Sequence, residues 1–104
     1  SSPEYHGTMS GVMKNSLDWL SFNQTSGKVF AFISTLGGQS NTTTLNHMRT
    51  VVRWIHGFSI PEQLVIAKVK TAFDDDGNLI DDDIKNRVEK FVDSIIKHTE
   101  KLRG

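Results

Sequence analysis

Two short segments of the sequence combine residue types that can bring the backbone close to a ligand. The first is Pro3-Glu4-Tyr5-His6-Gly7, in which proline fixes the direction of the chain and glycine permits a tight turn. The second contains Gly37-Gly38 and follows Ser34 at the end of an apolar run. Backbone N–H groups in such segments can stabilise negative charge on a bound molecule. On spacing alone, ordinary loops between strands and helices are the simpler interpretation.

Phosphate and calcium loops fit the sequence poorly. Gly37-Gly38 is not followed by the Lys-Ser/Thr of a nucleotide P-loop. The acidic run Asp74-Asp75-Asp76-Gly77-Asn78 resembles a calcium loop, but with Gly77 in sixth position the first ligand would be Ala72 and the twelfth Asp83 instead of glutamate. A solvated turn before a helix is the better interpretation of this run.

The sequence also lacks the residue patterns that thiol chemistry, metal binding and hydrolase chemistry require. Without cysteine, these 104 residues have no thiolate nucleophile, disulfide or Cys-ligated zinc. His47 and His56 are nine residues apart and His98 is remote, so we expect them on helix surfaces or at an interface. Gly7-Thr8-Met9-Ser10-Gly11 does not match the Gly-x-Ser-x-Gly elbow of hydrolases. A solvated amphipathic helix is the default for three further residues that could form a partner-binding face: Arg49, Arg53 and Trp54.

Composition predicts one small globular domain. The chain has 104 residues, of which 37% are hydrophobic and 23% charged, and its formal net charge is zero. The neutral balance offers no basic surface for nucleic acid, so we expect no nucleic-acid partner. No apolar run is long enough to cross a bilayer, and the first residues do not resemble a signal peptide. We therefore expect a cytoplasmic protein with no membrane partner.

Hydrophobic spacing predicts a helix and then a buried strand. Met13, Leu17 and Leu20 recur at i, i+4 and i+7 behind Ser10-Gly11, which favours a short helix that begins there. After a polar stretch from Asn23 to Gly27 comes Val29-Phe30-Ala31-Phe32-Ile33, which is apolar without alternation. That pattern is typical of a strand covered on both faces, as in a parallel sheet.

The second half predicts a helix, an edge strand and a long final helix. The second helix should end at Gly57, and its apolar face is Leu45, Met48, Val52 and Ile55. The segment from Phe58 to Val69 should be an edge strand, because Pro61 cannot donate to a ladder. The last helix begins with acids and ends with bases, which suits its dipole. Its start is Asp81-Asp82-Asp83, its end carries Lys97, His98, Lys101 and Arg103, and its buried stripe is Ile84, Val88, Phe91, Ile95 and Leu102.

The predicted order is helix, strand, helix, strand, helix, which is an α/β arrangement. Two strands are too few for three helices, since a strand like 29–33 needs ladder partners on both edges. We therefore expect further strands to lie upstream or to come from another copy of the chain.

A family signature begins at the first loop. The opening Ser2-Pro3-Glu4-Tyr5-His6-Gly7, followed by Lys14-Asn15 and Asp18-Trp19, resembles the flavin-binding loop and following helix of NAD(P)H-dependent FMN reductases. This group includes bacterial azobenzene and quinone reductases. The similarity continues in the family's order through Gly37-Gly38, Asn46-His47-Met48-Arg49-Thr50, Ile60-Pro61-Glu62-Gln63 and Phe73-Asp74-Asp75-Asp76-Gly77-Asn78-Leu79.

The resemblance implies a flavodoxin-like three-layer fold. Residues 1–104 would then be the C-terminal part of a single FMN reductase domain, with a parallel sheet that lacks its first strands. Ser2 would be the last residue of the third strand, 29–33 the fourth strand and 58–69 the fifth, at the edge. Ligands in such open sheets lie at the carboxyl ends of the strands.

The same resemblance implies the chemistry. FMN would be the cofactor, NAD(P)H the hydride donor, and a flavin, quinone or azo compound the acceptor. The cofactor carries this chemistry, so no catalytic side chain is expected. Pro3, Glu4, Tyr5 and His6 would line one side of the isoalloxazine ring, and Ser34, Gly37 and Gly38 its other edge. The family's Gly-Ser-rich, Arg-containing phosphate loop has no counterpart here, which predicts little or no turnover by this chain alone.

By resemblance the protein would be a homodimer or homotetramer.

Two other functions can be weighed against the reductase. The alternative is a non-catalytic half-domain that self-associates or pairs with its missing N-terminal half, since an unpaired strand edge invites joining. A one-electron carrier of the flavodoxin kind is disfavoured by the neutral charge and the Pro-Glu-Tyr-His loop. The sequence does not choose between NADH and NADPH.

Overall fold

A four-stranded sheet with helices on both faces organises the chain. The structure, a computed structural model, describes residues 1–103. Its strands are β1 (Ser2–Tyr5), β2 (Thr8–Met9), β3 (Val29–Thr35) and β4 (Phe58–Ile66). Its helices are α1 (Gly11–Asp18), α2 (Phe22–Thr25), α3 (Thr43–Trp54) and α4 (Asp82–Leu102), with a 3₁₀ turn at Val69–Thr71. None of the helices within residues 1–103 is long and apolar enough to cross a membrane.

The strands lie in the order β2-β1-β3-β4. β1 and β4 both run parallel to β3, and β2 returns antiparallel along β1. The register places Pro3 beside Thr35 and Thr35 beside Ile66, so the three parallel strands end at one edge of the sheet. We call this the carboxyl edge. The predicted flavodoxin-like α/β class is confirmed.

Strand β3 is covered on both faces, as its unbroken apolar sequence predicted. On one face, Phe30 and Phe32 pack with α1 and α3. The buried residues of that cluster are Met9, Phe32, Leu45, Met48 and Val52. On the other face, Ala31 and Ile33 pack against α4, where Phe91 is buried. The two clusters give the three-layer arrangement of helix, sheet and helix.

The predicted edge position of β4 is confirmed, and a bulge accommodates its proline. Phe30 pairs with Ser59, but Phe32 pairs with Gln63, so the register shifts around Pro61. The Arg49 guanidinium donates to the carbonyls of Ile60 (2.9 Å) and Pro61 (3.0 Å) and to Gln63 Oε1 (2.9 Å). Arg49 therefore stabilises the bulge, which explains this residue without a partner-binding face.

The prediction that Ser2 ends its strand was wrong. β1 continues to Tyr5, turns through His6-Gly7 and returns as β2. The sheet therefore has β1 and β2 in addition to the two strands that hydrophobic spacing predicted. Both turn residues have positive φ, 52° at His6 and 85° at Gly7, as a tight two-residue hairpin requires. The Glu4 carboxylate accepts from the Gly7 N–H and closes the turn.

Smaller differences concern element ends. α1 ends at Asp18, so Leu20 lies beyond it and is 41% exposed. The polar stretch after it contains α2, where Ser21 N donates to Gln24 Oε1 (2.8 Å) as in a capping box. Leu102, expected on the buried stripe, is 48% exposed at the end of α4. α3 ends at Trp54 and not at Gly57, and β4 ends at Ile66 and not at Val69. The other residues of the predicted α4 stripe are buried or half-buried: Ile84, Val88, Phe91 and Ile95.

Candidate functional site

Three loops meet at the carboxyl edge because three parallel strands end there. They are the hairpin turn (residues 5–8), the glycine loop (residues 36–42) and the segment that follows β4 (residues 67–71). Leu36 N donates to Ile66 O (2.9 Å), and Val69 N donates to Leu36 O (2.9 Å). Lys68 N donates to Gly38 O (3.0 Å). The last two loops are therefore fastened together by their backbones.

The hairpin turn presents exposed side chains on a fixed backbone. Tyr5 is 59% exposed and His6 is exposed, whereas Pro3 and Glu4 are half-buried. Behind the turn, Met9 is buried in the core against α3. His47 Nδ1 lies 2.7 Å from Thr8 Oγ1, which joins the hairpin to α3. Sequence reasoning placed His47 on a helix surface but gave no signal for this contact, because the two residues are 39 positions apart.

The glycine loop leaves open space beside its two glycines. A Cβ added at Gly37 or Gly38 would meet no heavy atom within 4 Å, and neither residue has the positive φ that favours glycine. Gly57 differs, because a Cβ there would lie 2.6 Å from the Phe30 ring and 2.9 Å from Val52. Within the described residues, neither packing nor conformation explains the glycines at 37 and 38.

Ser34 lies under the site and not on its surface. Its side chain is 0% exposed, and its Oγ is buried without a hydrogen-bond partner among the described residues. Thr44, in the first turn of α3, has a buried Oγ1 in the same condition. The predicted contribution of Ser34 to a ligand-binding edge can therefore come only through the loop that follows it.

The charges at the carboxyl edge are unevenly distributed. The glycine loop and the first turn of α3 carry no charged residue. Lys68 and Lys70 follow β4 and are both exposed. Beyond them, the segment 74–83 holds six aspartates, three in a turn (74–76) and three at the start of α4 (81–83). Within the part of the chain described, no group of three or more His, Asp or Glu side chains is arranged to hold a metal ion.

A second polar cluster joins α4 to the bulge of β4. Ser94 Oγ donates to the Glu62 carboxylate, and this hydrogen bond lowers the pKa of Glu62, with the residue's own backbone N–H and the nearby His98 and Lys97 lowering it further. His98 Nδ1 lies 2.8 Å from the carbonyl of Ser94 and 3.1 Å from its Oγ. The cluster is not a nucleophilic triad, because the Ser94 proton is given to the carboxylate and His98 Nδ1 faces a main-chain acceptor.

Two depressions in the surface lie away from the three loops. One of about 810 Å³ lies between Asn78 and α4, and an apolar one of about 210 Å³ lies beside the face of β3 that α1 and α3 cover. Neither depression is lined by the hairpin turn or by the glycine loop.

Comparison with known proteins points to one family. The family model described as NADPH-dependent FMN reductase matches residues 1–71. The chain is 34% identical over 99% of its length to the NADPH-dependent FMN reductase ArsH of Acidithiobacillus ferrooxidans, and it covers 46% of that protein. It is 34% identical over 91% of its length to the FMN-dependent NADPH-azoreductase of Staphylococcus aureus, and it covers 52% of that protein. The chain thus spans about half the length of the curated relatives it matches.

Proposed function

The chain belongs to the NADPH-dependent FMN reductase family, and on that premise we propose that it supplies the loops that hold the isoalloxazine ring of FMN in an NAD(P)H-dependent oxidoreductase. FMN, when bound, accepts hydride from the reduced nicotinamide and delivers electrons to an acceptor. The residues of this chain bind and orient the ring. The acceptor class in the proposal is a flavin, a quinone or an azo compound.

The open space beside Gly37 and Gly38 is the observation that carries the proposal. Gly11 has the same open space, but Gly37 and Gly38 follow a parallel strand at the carboxyl edge, where ligands of open α/β sheets bind. Glycine at these two positions is explained if a ligand lies where a Cβ would otherwise project. The backbone of the loop is held in place by its bonds to the segment after β4, including Lys68 N to Gly38 O. A rigid backbone that a flat ring can approach closely suits flavin binding.

The hairpin turn takes the other side of the ring in this proposal. Tyr5 and His6 contribute exposed side chains, and Pro3 and Glu4 contribute the half-buried end of β1. The Glu4 carboxylate holds the Gly7 N–H, so its role is to fix the turn. Ser34 is buried, so in this proposal it supports the glycine loop that follows it and does not contact the ring.

Titration of the purified chain with FMN, followed by flavin fluorescence, tests this function. The matched variants are Gly38→Ala and Gly11→Ala, since both add a Cβ into open space and only the first lies in the glycine loop. We expect Gly38→Ala to weaken FMN binding about tenfold, since the displaced ring loses close contacts, and Gly11→Ala to leave it unchanged. Equal affinities for all three proteins, or no FMN binding by the parent chain at its intact mass, would count against the proposal.

We further propose that the 104 residues form the C-terminal part of one domain and show little turnover alone. The support is that the chain spans about half of its relatives. NADPH-dependent reduction of a quinone, measured by loss of NADPH absorbance, tests this point. Robust turnover by the pure chain would contradict it. The proposed setting is a cytoplasmic homodimer or homotetramer, where reduced nicotinamide nucleotides are available.

A second candidate function is a half-domain that self-associates or pairs with a complementary segment. Toward β1, the described ladder joins β3 only at Ser34 and Thr35, so residues 29–33 have no partner there among the described residues. The apolar depression of about 210 Å³ adjoins that edge and is lined by Met13, Leu17, Phe30 and Val52 among others. Such an edge favours strand addition. Sedimentation that gives a stable folded monomer would remove this candidate.

A further inference from the structure

The hairpin turn (residues 5–8) reaches beyond the strand that supports it. Among the described residues, β1 pairs with β3 at Ser2 and Pro3, and the second pair is with Thr35, where β3 ends. Beyond Pro3, the ladder partner of β1 is β2, which lies at the outer edge of the sheet. A two-stranded hairpin is only marginally stable without further support. The position of the turn therefore depends on what holds β2.

Helix α3 supplies that support through two side chains. Met9 of β2 is buried in the core cluster that also contains Met48 of α3. One position earlier in both elements, His47 Nδ1 lies 2.7 Å from Thr8 Oγ1. Among residues 1–103, this is the side-chain hydrogen bond that joins the turn to an element outside the hairpin. A hydroxyl can both donate and accept, so it can pair with Nδ1 in either tautomer of the neutral imidazole.

The same helix begins at the other loop of the proposed site. α3 starts at Thr43, directly after the glycine loop (residues 36–42). Arg49 fastens α3 to the bulge of β4 through its guanidinium. His47 and Arg49 are two positions apart, so they leave the helix in different directions, one toward the hairpin and one toward the edge strand. α3 therefore sets the distance between the hairpin turn and the glycine loop.

We propose that His47 is a positioning residue for the flavin. Through Thr8 it holds the hairpin turn at the distance from the glycine loop that the isoalloxazine ring needs. The inference rests on the proposed function, in which the ring lies between these two loops. A turn that is already in place spares the cost of ordering it when the ring binds. Fixed backbone N–H groups also stabilise the negative charge that develops on the ring when it is reduced.

A double-mutant cycle on the full chain tests the proposal. His47→Ala and Thr8→Val each remove the hydrogen bond, and Thr8→Ser keeps the hydroxyl. Thr50→Val is the control, because Thr50 is an exposed threonine of α3 whose hydroxyl donates within the helix, to Asn46 O (3.1 Å). For each protein we would measure the FMN dissociation constant, the reduction potential of the flavin at saturating FMN, and the hydrogen exchange of the Gly7 N–H without ligand.

We expect His47→Ala and Thr8→Val each to weaken FMN binding about three- to tenfold, as loss of one hydrogen bond should. The double variant should lose no more than either single variant. The Gly7 N–H, which the Glu4 carboxylate accepts in the closed turn, should exchange faster in all three. The potential should become more negative in all three, because N–H groups of a displaced turn stabilise the reduced ring less. Thr8→Ser and Thr50→Val should behave like the parent.

Three results would overturn the proposal. If the two single losses multiplied in the double variant, His47 and Thr8 would act independently. If both single variants bound FMN like the parent, or Thr8→Ser lost as much as Thr8→Val, the hydrogen bond would not position the turn. An unchanged potential would show a general loss of stability instead.

The exchange measurement separates this proposal from the flavin function itself. A parent chain that binds no FMN would refute the flavin function. Faster exchange at Gly7 in His47→Ala and Thr8→Val would then leave the positioning of the turn by His47 standing, and unchanged exchange would refute that as well.

Discussion

Two loops follow parallel strands at the carboxyl edge and lead into helices, and they use their polar groups in opposite ways. The aspartate loop (residues 72–81) binds itself: Asp74 Oδ1 accepts from Asp76 N (3.0 Å) and Asn78 N (2.9 Å). Asp74 N also donates to Asn78 O (2.8 Å). Asp81 then caps α4 by accepting from the N–H groups of Asp83 and Ile84. The polar groups of this loop are therefore used in hydrogen bonds within the loop and to the first turn of α4.

The glycine loop leaves more of its groups uncommitted. Thr42, at the N-cap of α3, makes no side-chain capping bond, and the first turn of the helix has no acidic residue. Asn41 Oδ1 accepts from Thr43 N at 3.2 Å. The positive end of the α3 dipole is therefore less satisfied within the described residues than that of α4. The more conspicuous sequence, with its run of aspartates, is the structural connector, and the plainer sequence is the candidate for binding.

The largest expected effect is on the free energy of unfolding, and it distinguishes a glycine required by packing from one in the candidate binding loop. Gly57→Ala should lower the free energy of unfolding by about 1–3 kcal/mol, because its Cβ would overlap Phe30 and Val52. Gly38→Ala should leave it unchanged or raise it by up to about 1 kcal/mol, since alanine restricts the unfolded chain. Urea unfolding of both variants measures the difference. If Gly38→Ala were as costly as Gly57→Ala, the glycine loop would be constrained by packing and the flavin proposal would lose its main support.

The next effect compares the two helix starts. Asp81→Ala should cost about 1 kcal/mol through loss of a cap, and Thr42→Ala less than about 0.5 kcal/mol, since Thr42 makes no capping bond. Asp75→Ala removes an equal charge from the same loop as Asp81 and serves as the control. Thermal unfolding of the three variants gives the ranking. Equal costs for Asp81→Ala and Thr42→Ala would show that the two loops cap their helices equally well.

A third effect concerns buried hydroxyls on the helix that follows each loop. Thr44 on α3 has a buried Oγ1 without a partner among residues 1–103, whereas Ser94 on α4 donates to Glu62. Thr44→Val keeps the shape and removes the unpaired group, so it should raise the free energy of unfolding by about 0.5–1 kcal/mol. Thr43→Val, at the exposed neighbouring position, should change it little. A destabilised Thr44→Val would mean that this hydroxyl is bonded in solution.

Most of the fold follows from local patterns in the sequence. The apolar run at β3, the period of α3 and the acid-to-base order of α4 each lie within one element, so they predict it correctly. The edge position of β4 follows from Pro61 alone. Proline has no N–H to donate to a neighbouring strand, so it favours an edge strand. The hairpin was missed because β2 has only two residues. It depends on contacts such as Glu4 with Gly7 and Ser2 with Ser10, which no hydrophobic period reports.

The candidate site is less predictable than the fold. Which loops meet follows from the parallel order of the strands, so the positions of Pro3–Gly7 and Gly37-Gly38 could be expected together. The burial of Ser34 depends on which face of β3 it occupies in the sheet. The position of Lys68 depends on a bond to a residue 30 positions earlier in the chain. Both features depend on how the whole sheet is assembled, so no short stretch of sequence predicts either of them.

The smallest effect is a pH dependence at the junction of α4 with β4. The Ser94 hydroxyl lowers the pKa of Glu62 in the folded chain. A depressed carboxyl pKa adds stability that is complete above the ordinary glutamate value of about 4.3 and is lost as the pH falls through the folded value. Ser94→Ala should therefore unfold at lower urea than the parent at pH 7, with the difference shrinking between pH 5 and 3. Glu62→Gln should flatten that dependence, and Ser16→Ala, at an exposed helical serine, should not alter it. A difference that stays constant down to pH 3 would mean that Ser94 contributes only packing, and α4 would then be held to the sheet by its apolar face alone.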